Sequence, residues 1–330
     1  MDKSNVLPLS ATHEQINRLH DSISEQVLGQ KNLITKLLVA LLADGHLLLE
    51  GAPGLAKTKA AKALATAIEG DYNRIQFTPD LLPGDLTGTE IYRPNDASFV
   101  FQPGPIFSNL VLADEINRAP AKVQSALLEA MAERQTTVGN KTYSLPNLFV
   151  VMATQNPIEQ EGTYPLPEAQ LDRFLMLVKI DYPHASTEHA ILKLARQEAS
   201  QTTNETKPSI TVSQQVIFAA RKQVLDVHVS ESIEKYMVDL ILATRTPEKY
   251  SSALAKLIRF GASPRATIAL DRCAKANAWL EQRDHVTPGD IHEIIYGVLR
   301  HRIILSFEAE AQGISTDDVI SQLLDLVAIP

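Results

Sequence analysis

One octapeptide constrains the fold of this chain more than any other feature. Residues 51–58 read GAPGLAKT and come directly after the apolar run at 46–50. Gly51 and Gly54 allow backbone angles and close approaches that a Cβ would obstruct. The N–H groups of such a loop can converge on a polyphosphate, and the N-terminus of a following helix faces the same anion. The octapeptide therefore predicts a strand, a phosphate-binding loop and a helix in immediate succession.

Side chains at the end of this loop have the chemistry that a nucleotide needs. Lys57 carries a mobile positive charge for the β- and γ-phosphates, and Thr58 has a hydroxyl for Mg²⁺. Ala56 departs from the general motif, which has glycine at that position. An ordinary strand–turn–helix with a surface lysine would give a similar pattern. The predicted nucleotide contacts are Gly51, Ala52, Pro53, Gly54, Leu55, Ala56, Lys57, Thr58 and Lys59.

Two apolar runs further along the chain end in polar side chains. Residues 111–113 lead into Asp114 and Glu115, and residues 149–154 are followed closely by Asn156. The carboxyl ends of parallel strands are where open α/β folds bind ligands. Asp114 can hold the water shell of Mg²⁺, Glu115 can deprotonate an attacking water as a general base, and Asn156 can hydrogen-bond that water or the γ-phosphate. Each group alone could simply end a strand, so the prediction of nucleotide hydrolysis depends on their combination with the loop.

Strands and helices alternate along the first part of the chain. The predicted strands are at 46–50, 72–77, 110–114, 148–154 and 174–180, and predicted helices between them include 30–44, 57–69 and 120–134. Alternation of this kind is typical of a mostly parallel sheet that is covered by helices on both faces. We therefore predict an α/β core over residues 1–183 with a five-stranded parallel sheet flanked by helices.

Two intervals of this core do not follow the alternation. Residues 78–107 contain many prolines and glycines, with the short runs 89–92 and 98–101 on either side of Arg93–Ala97, and residues 135–145 have Gly139 and Asn140 at their centre. Both patterns predict an inserted β-hairpin. Loops on a rigid scaffold often bind partners, and whether these hairpins do so or only decorate the surface stays open.

Beyond residue 184 the chain has helical periodicity only. The helical stretches are 186–199, 213–226, 231–245, 264–282 and 288–304, whereas the segment 200–209 is polar and poor in apolar residues. We predict a linker over 184–209 and a small all-α lid domain over 210–330. Motion of such a lid would close the nucleotide cleft.

Composition and charge narrow the classes of protein and partner. The 330 residues are 45% hydrophobic with a net charge of −8, and they contain no apolar run of transmembrane length and no signal peptide. The single cysteine, Cys273, cannot form an internal disulfide, so we expect a cytoplasmic protein without a membrane partner. The arginines are dispersed, which argues against nucleic acid as a partner. The histidine spacings match no paired-ligand motif, so Mg²⁺ is the only metal predicted.

These motifs together resemble the MoxR family of AAA+ ATPases. The matching stretches are GAPGLAKT (51–58), ADEINRAPAKVQSALLEAMAERQ (113–135), ATQNP (153–157), LPEAQLDRF (166–174) and GASPRA (261–266). They occur in the family's order, and Ala56 is the residue that this family usually has in its loop. The resemblance implies ATP and Mg²⁺ as cofactors and a hexameric ring with nucleotide sites between neighbouring subunits. It also implies a chaperone-like role towards a protein client, in some cases one with a von Willebrand factor A domain.

The resemblance also gives roles to residues outside the loop. Arg173 in LDRF matches the arginine finger that one subunit presents to the γ-phosphate of its neighbour, with a surface Asp172–Arg173 pair as the alternative. Arg265 follows Ser263 and Pro264, an N-cap and first helical position, and matches the second sensor. Gly29 and Gln30 lie in a segment that resembles the one beside the adenine.

The function predicted from the sequence is an ATP-hydrolysing ring motor that remodels, matures or activates a protein partner complex. The motor subunit of a metal chelatase is the alternative within the enzymes, because its core has a related pattern. A nucleotide-dependent switch and a DNA-associated motor are alternatives from other classes. Glu115 argues against a pure switch, because a switch needs no general base, and the weak charge patterning argues against the DNA motor.

Overall fold

The computed structural model describes residues 9–157, 162–200 and 210–330, with the backbone alone at 186, 195 and 197–200. The chain forms two compact units. The first comprises Met1–Leu38, His46–Leu166 and Val178–Phe218, and the second comprises Val39–Gly45, Pro167–Leu177 and Ala219–Pro330. The predicted linker over 184–209 contains a helix in its first part, and residues 201–209 lie outside the described residues.

The elements follow the predicted alternation of strands and helices. The strands are β1 (Leu47–Gly51), β2 (Tyr72–Gln76), β3 (Gly88–Arg93), β4 (Ser98–Pro103), β5 (Leu110–Asp114), β6 (Gln135–Val138), β7 (Lys141–Ser144), β8 (Val150–Gln155), β9 (Met176–Ile180), β10 (Ile258–Phe260) and β11 (Ile304–Leu305). The helices are α1 (Leu9–Gln26), α2 (Lys31–Leu42), α3 (Lys57–Thr66), α4 (Pro83–Thr87), α5 (Ala121–Glu133), α6 (Glu168–Leu171), α7 (Ala185–Ser200), α8 (Gln214–Leu225), α9 (Glu231–Arg245), α10 (Ser252–Leu257), α11 (Pro264–Leu280), α12 (Pro288–Leu299), α13 (Phe307–Ala311) and α14 (Thr316–Leu326).

A five-stranded sheet in the order β2-β5-β8-β1-β9 organises the core. β5 and β8 are buried along nearly their whole length, as expected for parallel strands covered on both faces. The pairings β2–β5, β5–β8 and β8–β1 are parallel, with Gln76 opposite Asp114 and Glu50 opposite Gln155. The ends of these strands therefore lie along one edge of the sheet. The predicted α/β core with its five-stranded parallel sheet is confirmed.

Both inserted hairpins are present in the first unit. β3 pairs with β4 and β6 pairs with β7, each in antiparallel register. The two hairpins contact each other, because the Phe101 ring stacks on the Tyr143 ring with a centroid distance of 3.9 Å. Tyr92 and Phe99 on the first hairpin are at least half exposed.

The second unit is mainly helical. α11 packs against α12 and α9, and α14 packs against α12 and α9. The apolar face of α12, with Ile291, Ile294, Ile295 and Val298, is fully buried. One feature departs from an all-helical lid: β10 and β11 form a two-stranded antiparallel sheet. Strands of three and two residues are too short to produce an alternating sequence pattern, which is why the sequence did not predict them.

A buried carboxylate stabilises the start of α12. Asp290 is 1% exposed and accepts hydrogen bonds from Arg283, from Asn277 and from the backbone N–H and hydroxyl of Thr287. Burial alone would raise the pKa of Asp290, but these donated hydrogen bonds outweigh it and the pKa is lowered.

In the part of the chain that the structure describes, every helix is too short or too polar to cross a bilayer.

Candidate active site

The loop between β1 and α3 has the backbone conformation that the octapeptide predicts. Gly54 has φ of 84°, and a Cβ on Gly51 would come within 2.7 Å of the carbonyl oxygen of Ile180. Ala56 also lies in the left-handed region, with φ of 59° and ψ of 17°. A glycine would adopt this conformation without steric cost, whereas alanine is strained by about 1–2 kcal/mol. The conformation explains why glycine is usual at this position of such loops.

Lys57 is the first residue of α3, and its ammonium lies at the ends of two neighbouring strands. Nζ donates to the carbonyl oxygen of Gly51, the last residue of β1, and to that of Gln155, the last residue of β8, at 3.2 Å. The side chain is only partly exposed. The structure therefore holds a positive charge beside the loop, at the predicted phosphate position.

Asp114, the last residue of β5, is the centre of the polar network at this edge. It is 7% exposed. Its Oδ1 accepts from the hydroxyl of Thr154 at 2.5 Å, and its Oδ2 accepts from Arg74 Nη2 at 2.7 Å and Nε at 3.1 Å. Thr58 Oγ1 is 3.4 Å from the same Oδ2. The predicted metal ligands Thr58 and Asp114 are thus brought together. Arg74 donates to the same Asp114 oxygen, Oδ2, that Thr58 contacts.

Glu115 lies one residue beyond β5 and has a strained backbone. Its φ is 57° and its ψ is 50°, a conformation that costs a non-glycine residue of order 1–3 kcal/mol and is concentrated at functional sites. The backbone N–H of Glu115 donates to Thr154 Oγ1 at 2.9 Å. Its carboxylate accepts from Gln76 Nε2 at 2.7 Å and lies 3.1 Å from Arg118 Nε. The carboxylate that follows this turn therefore contacts the end of β2.

Asn156 directly follows β8 and is 7% exposed. Because β8 lies between β5 and β1 in the sheet, Asn156 is placed at the same edge as Asp114 and the loop. Gln155, the preceding residue, donates to Glu50 Oε2 at 2.6 Å. The predicted groups at the three strand ends therefore share one edge within the first unit.

A cavity of about 260 Å³ adjoins the loop in the same unit. Its walls come from residues 53–56 and Lys59 of the loop and helix, from residues 26–28 and 30, and from Tyr182, Ile191 and Leu194. Gln30 Nε2 donates to the carbonyl oxygen of Asp181 at 3.4 Å, and Gly29 has φ of 77°. A mostly apolar cavity with a few polar groups beside an anion-binding loop suits a base and its ribose.

Arg173 and Arg265 lie in the second unit, Arg173 directly after Asp172 in the chain and Arg265 beside the Asp172 carboxylate. Asp172, which precedes Arg173, accepts from Arg302 Nε at 2.8 Å and from Ser263 Oγ at 2.8 Å, and Arg265 Nη1 is 3.8 Å away. Ser263 is also the N-cap of α11 and accepts from the backbone N–H of Arg265. The two segments that contain these arginines are therefore joined through Asp172.

Two buried side chains support the segment around Arg173. Arg302, whose side chain is 3% exposed, donates to the carbonyl oxygens of Phe174, at 2.6 Å, and Leu175, at 3.1 Å. His301 Nε2 donates to the carbonyl oxygen of Phe174 at 3.2 Å. Burial, together with the neighbouring Arg302 charge, lowers the pKa of His301 well below its ordinary value. His301 is therefore neutral in the folded protein near pH 7.

Three residues that contact Asp114 or Glu115 are absent from the predicted site: Arg74, Gln76 and Thr154. The sequence placed them on strands but did not show which strands are neighbours. Their contacts follow from the order β2-β5-β8 and from the registers Gln76–Asp114 and Ala113–Ala153. For Thr154 the sequence signal was a polar residue near the end of an otherwise apolar strand, whereas Arg74 and Gln76 lie on a mostly polar strand that gives no such signal.

The donor set near the loop fits Mg²⁺. A carboxylate oxygen of Asp114 and the hydroxyl of Thr58 are hard oxygen ligands, and Mg²⁺ in phosphate sites is bound by few protein oxygens together with substrate phosphates and water. Among the described residues, no cluster of three or more His, Cys, Asp or Glu side chains could hold a metal without a nucleotide.

Comparison with known proteins agrees with this geometry. A model of the ATPase family associated with various cellular activities (AAA) matches residues 46–176, and a model of the AAA lid domain matches residues 251–323. The chain is 42% identical to the Chaperone MoxR1 of Mycobacterium tuberculosis over 98% of this chain and 84% of that protein. It is 35% identical to the Protein MoxR of Paracoccus denitrificans over 90% of this chain and 91% of that protein.

A solved structure resembles the whole chain. A putative ATPase from Cytophaga hutchinsonii superposes with a TM-score of 0.90 at 49% identity, covering 98% of this chain and 97% of that one. The AAA match covers the strands that carry the polar network, and the lid match lies in the mainly helical second unit. The chain therefore belongs to the MoxR family of AAA ATPases.

Proposed function

We propose that this protein binds and hydrolyses ATP with Mg²⁺ and uses the cycle to remodel, mature or activate a protein partner. The observation that carries the proposal is the meeting of Lys57, Thr58, Asp114 and Glu115 at one edge of the sheet, beside the cavity. Family membership supports the use of ATP and Mg²⁺ in general.

The loop and α3 would bind the phosphates. Backbone N–H groups of residues 51, 52 and 54–56 and the N-terminus of α3 would face the anion, and Lys57 would exchange its carbonyl contacts for β- and γ-phosphate oxygens. Thr58 and Asp114 would hold Mg²⁺, which when bound neutralises charge on the phosphate oxygens. The cavity beside residues 26–28 would hold the base.

Glu115 would act as the general base for the attacking water. Its carboxylate is 32% exposed, so it would reach the attacking water on leaving its contacts with Gln76 and Arg118, and the strained turn fixes the backbone from which it extends. Asn156, at the end of the next strand, would orient that water or the γ-phosphate. In a pure switch Glu115 would have no task, so its placement favours an enzyme with turnover.

Arg173 and Arg265 would act on the γ-phosphate from the second unit. Following the family pattern, Arg173 would serve the neighbouring subunit of a hexameric ring, and Arg265 would be the second sensor. A fixed planar cation stabilises charge on the transferring phosphoryl group. A relative that is 42% identical is named a chaperone, which supports a protein client, and a client with a von Willebrand factor A domain is the family's precedent.

A client is best sought with the ATP-bound state arrested. Glu115→Gln keeps the shape of the side chain but removes the base, so it should accumulate ATP-bound assemblies that hold the client. Affinity capture with this variant and MgATP should enrich one set of proteins that Lys57→Ala, which lacks the phosphate contact, does not retain. Equal capture by both variants, or capture without ATP, would contradict an ATP-driven action on that client.

A further inference from the structure

We infer that Thr154 is a positioning residue that sets both acidic groups of the site through its one hydroxyl. This inference rests on the proposed roles of Asp114 and Glu115. Thr154 is 1% exposed, on β8 between β5 and β1. It would touch neither the nucleotide nor the metal, and it would act on them only through its two neighbours.

The direction of both hydrogen bonds is determined by chemistry. A hydroxyl has one proton to donate and lone pairs to accept. The backbone N–H of Glu115 can only donate, so at 2.9 Å Thr154 Oγ1 is its acceptor. The single hydroxyl proton therefore goes to Asp114 Oδ1, 2.5 Å away, and the carboxylate accepts it in its ionised form.

The bond to Asp114 selects which carboxylate oxygen faces the metal position. With Oδ1 held by Thr154, Oδ2 is the oxygen directed towards Thr58 at 3.4 Å. Without the hydroxyl, Oδ1 would lose this donor, and only the half-exposed Arg74 on Oδ2 would oppose rotation about the last torsion, which is broad for aspartate. Rotation would remove the fixed alignment of Oδ2 with the Thr58 hydroxyl.

The bond to Glu115 stabilises the strained turn that directs the base. A residue in the left-handed region persists only when its surroundings hold it there. Glu115 directly follows β5 and adopts φ of 57°, outside the extended conformation of the strand. Its backbone N–H donates to Thr154 Oγ1, which holds the residue in this conformation. One hydroxyl thus couples the position of the metal ligand to the direction of the general base.

The test compares Thr154→Val, which keeps the shape, with Thr154→Ser, which keeps the hydroxyl. We expect Thr154→Val to weaken Mn²⁺ binding to the stoichiometric protein–ADP complex, followed by electron paramagnetic resonance, by about tenfold or more, since loss of such outer contacts typically costs 10–100-fold. We expect kcat to fall by a similar factor. Thr154→Ser should stay within about threefold of the parent in both.

A merely structural role would give a different result. In that case Thr154→Val would lower the thermal midpoint, while the folded fraction would bind Mn²⁺ and turn over normally, and that result overturns the inference. The inference would also be overturned if Thr154→Ser, which keeps the hydroxyl, lost Mn²⁺ affinity or kcat to the same extent as Thr154→Val. If Thr154→Val does not fold, Thr154→Cys takes its place, because a thiol is a weak donor and acceptor. We expect the same loss of Mn²⁺ affinity, about tenfold, for this variant. A Thr154→Cys variant that binds Mn²⁺ like the parent would overturn the inference.

The outcome is separable from the proposed function through Glu115→Gln. If that variant is inactive while Thr154→Val binds Mn²⁺ and turns over like the parent, the positioning role alone is wrong. If Glu115→Gln hydrolyses ATP normally, the proposed base is wrong, and the Mn²⁺ titration still decides whether Thr154 aligns Asp114.

Discussion

Arg74 should oppose Mg²⁺ binding at Asp114. Replacement of Arg74 by methionine should therefore strengthen the binding of Mg²⁺. Two guanidinium nitrogens donate to Oδ2, the oxygen that Thr58 also faces. A metal that engages this oxygen must displace or approach a positive charge. Arg74→Met removes the charge and keeps most of the length of the side chain.

The magnitude follows from the geometry and exposure of the pair. Two unit charges about 4 Å apart interact by about 4 kcal/mol at an effective dielectric constant near 20. The Arg74 side chain is 51% exposed, so solvent screens the pair, and exposed pairs are typically worth about 0.2–1 kcal/mol. Asp114 itself is largely buried, which puts the pair between these limits, at about 1–2 kcal/mol. That range is a factor of about 5–30 in an equilibrium constant.

The assay is Mn²⁺ binding to the protein–ADP complex, with Arg118→Met as the matched control. Arg118 is also a partly exposed arginine beside the site, but it contacts Glu115 and not Asp114. We expect about 5–30-fold tighter binding for Arg74→Met and little change for Arg118→Met. If Arg74→Met binds no tighter than the parent, or if both variants tighten equally, the specific competition at Oδ2 does not exist.

Three further predictions address the loop, the shared site and the pH dependence. Ala56→Gly should keep nucleotide affinity and raise the free energy of unfolding by up to about 1 kcal/mol, because relief of the left-handed strain exceeds the added freedom of the unfolded chain. Lys57→Ala and Arg173→Ala, each inactive alone, should recover ATP hydrolysis when mixed, because a Lys57-intact site next to an Arg173-intact neighbour is complete. Because the folded pKa of His301 is depressed, stability should be full above about pH 6.5 and fall below it, by up to about 1.4 kcal/mol per pH unit.

Each of these has a result that contradicts it. For the loop, denaturant unfolding in which Ala56→Gly is less stable than the parent would mean that the left-handed conformation costs nothing. For the shared site, a mixture that stays inactive although the subunits co-assemble would remove the finger role of Arg173. For the pH dependence, His301→Gln should flatten the thermal-midpoint profile between pH 5 and 6.5, and an unchanged slope would place the titrating group elsewhere.

The parts of the fold that the sequence predicted are those encoded by contiguous residues. The octapeptide at 51–58, the acidic pair Asp114–Glu115 and the turn at Gly139–Asn140 each combine chemistry and conformation within a few positions. Period and turn signals of this kind are local, so the five strands of the main sheet, the two hairpins and the polar groups at the ends of β5 and β8 were predictable, whereas the short strands β10 and β11 were not.

The parts that were missed depend on distant segments. Arg74, Gln76 and Thr154 enter the site only because β2, β5 and β8 are neighbours in the sheet. The grouping of 167–177 with the second unit likewise depends on contacts such as Arg302 with Asp172, across a long stretch of sequence. A single sequence contains no signal for such pairings. The domain bounds and the roles of the site residues stay predictions.

Single-turnover hydrolysis by Glu115→Gln tests the central claim most directly. Preformed complexes with labelled ATP are mixed with Mg²⁺, and bound ATP and ADP are quantified over time, with Glu129→Gln on the exposed face of α5 as the control. We expect Glu115→Gln to bind ATP like the parent and to hydrolyse it about 10²–10⁴-fold more slowly, while Glu129→Gln matches the parent. Hydrolysis by Glu115→Gln at more than about a tenth of the parent rate would contradict the claim that Glu115 is the general base.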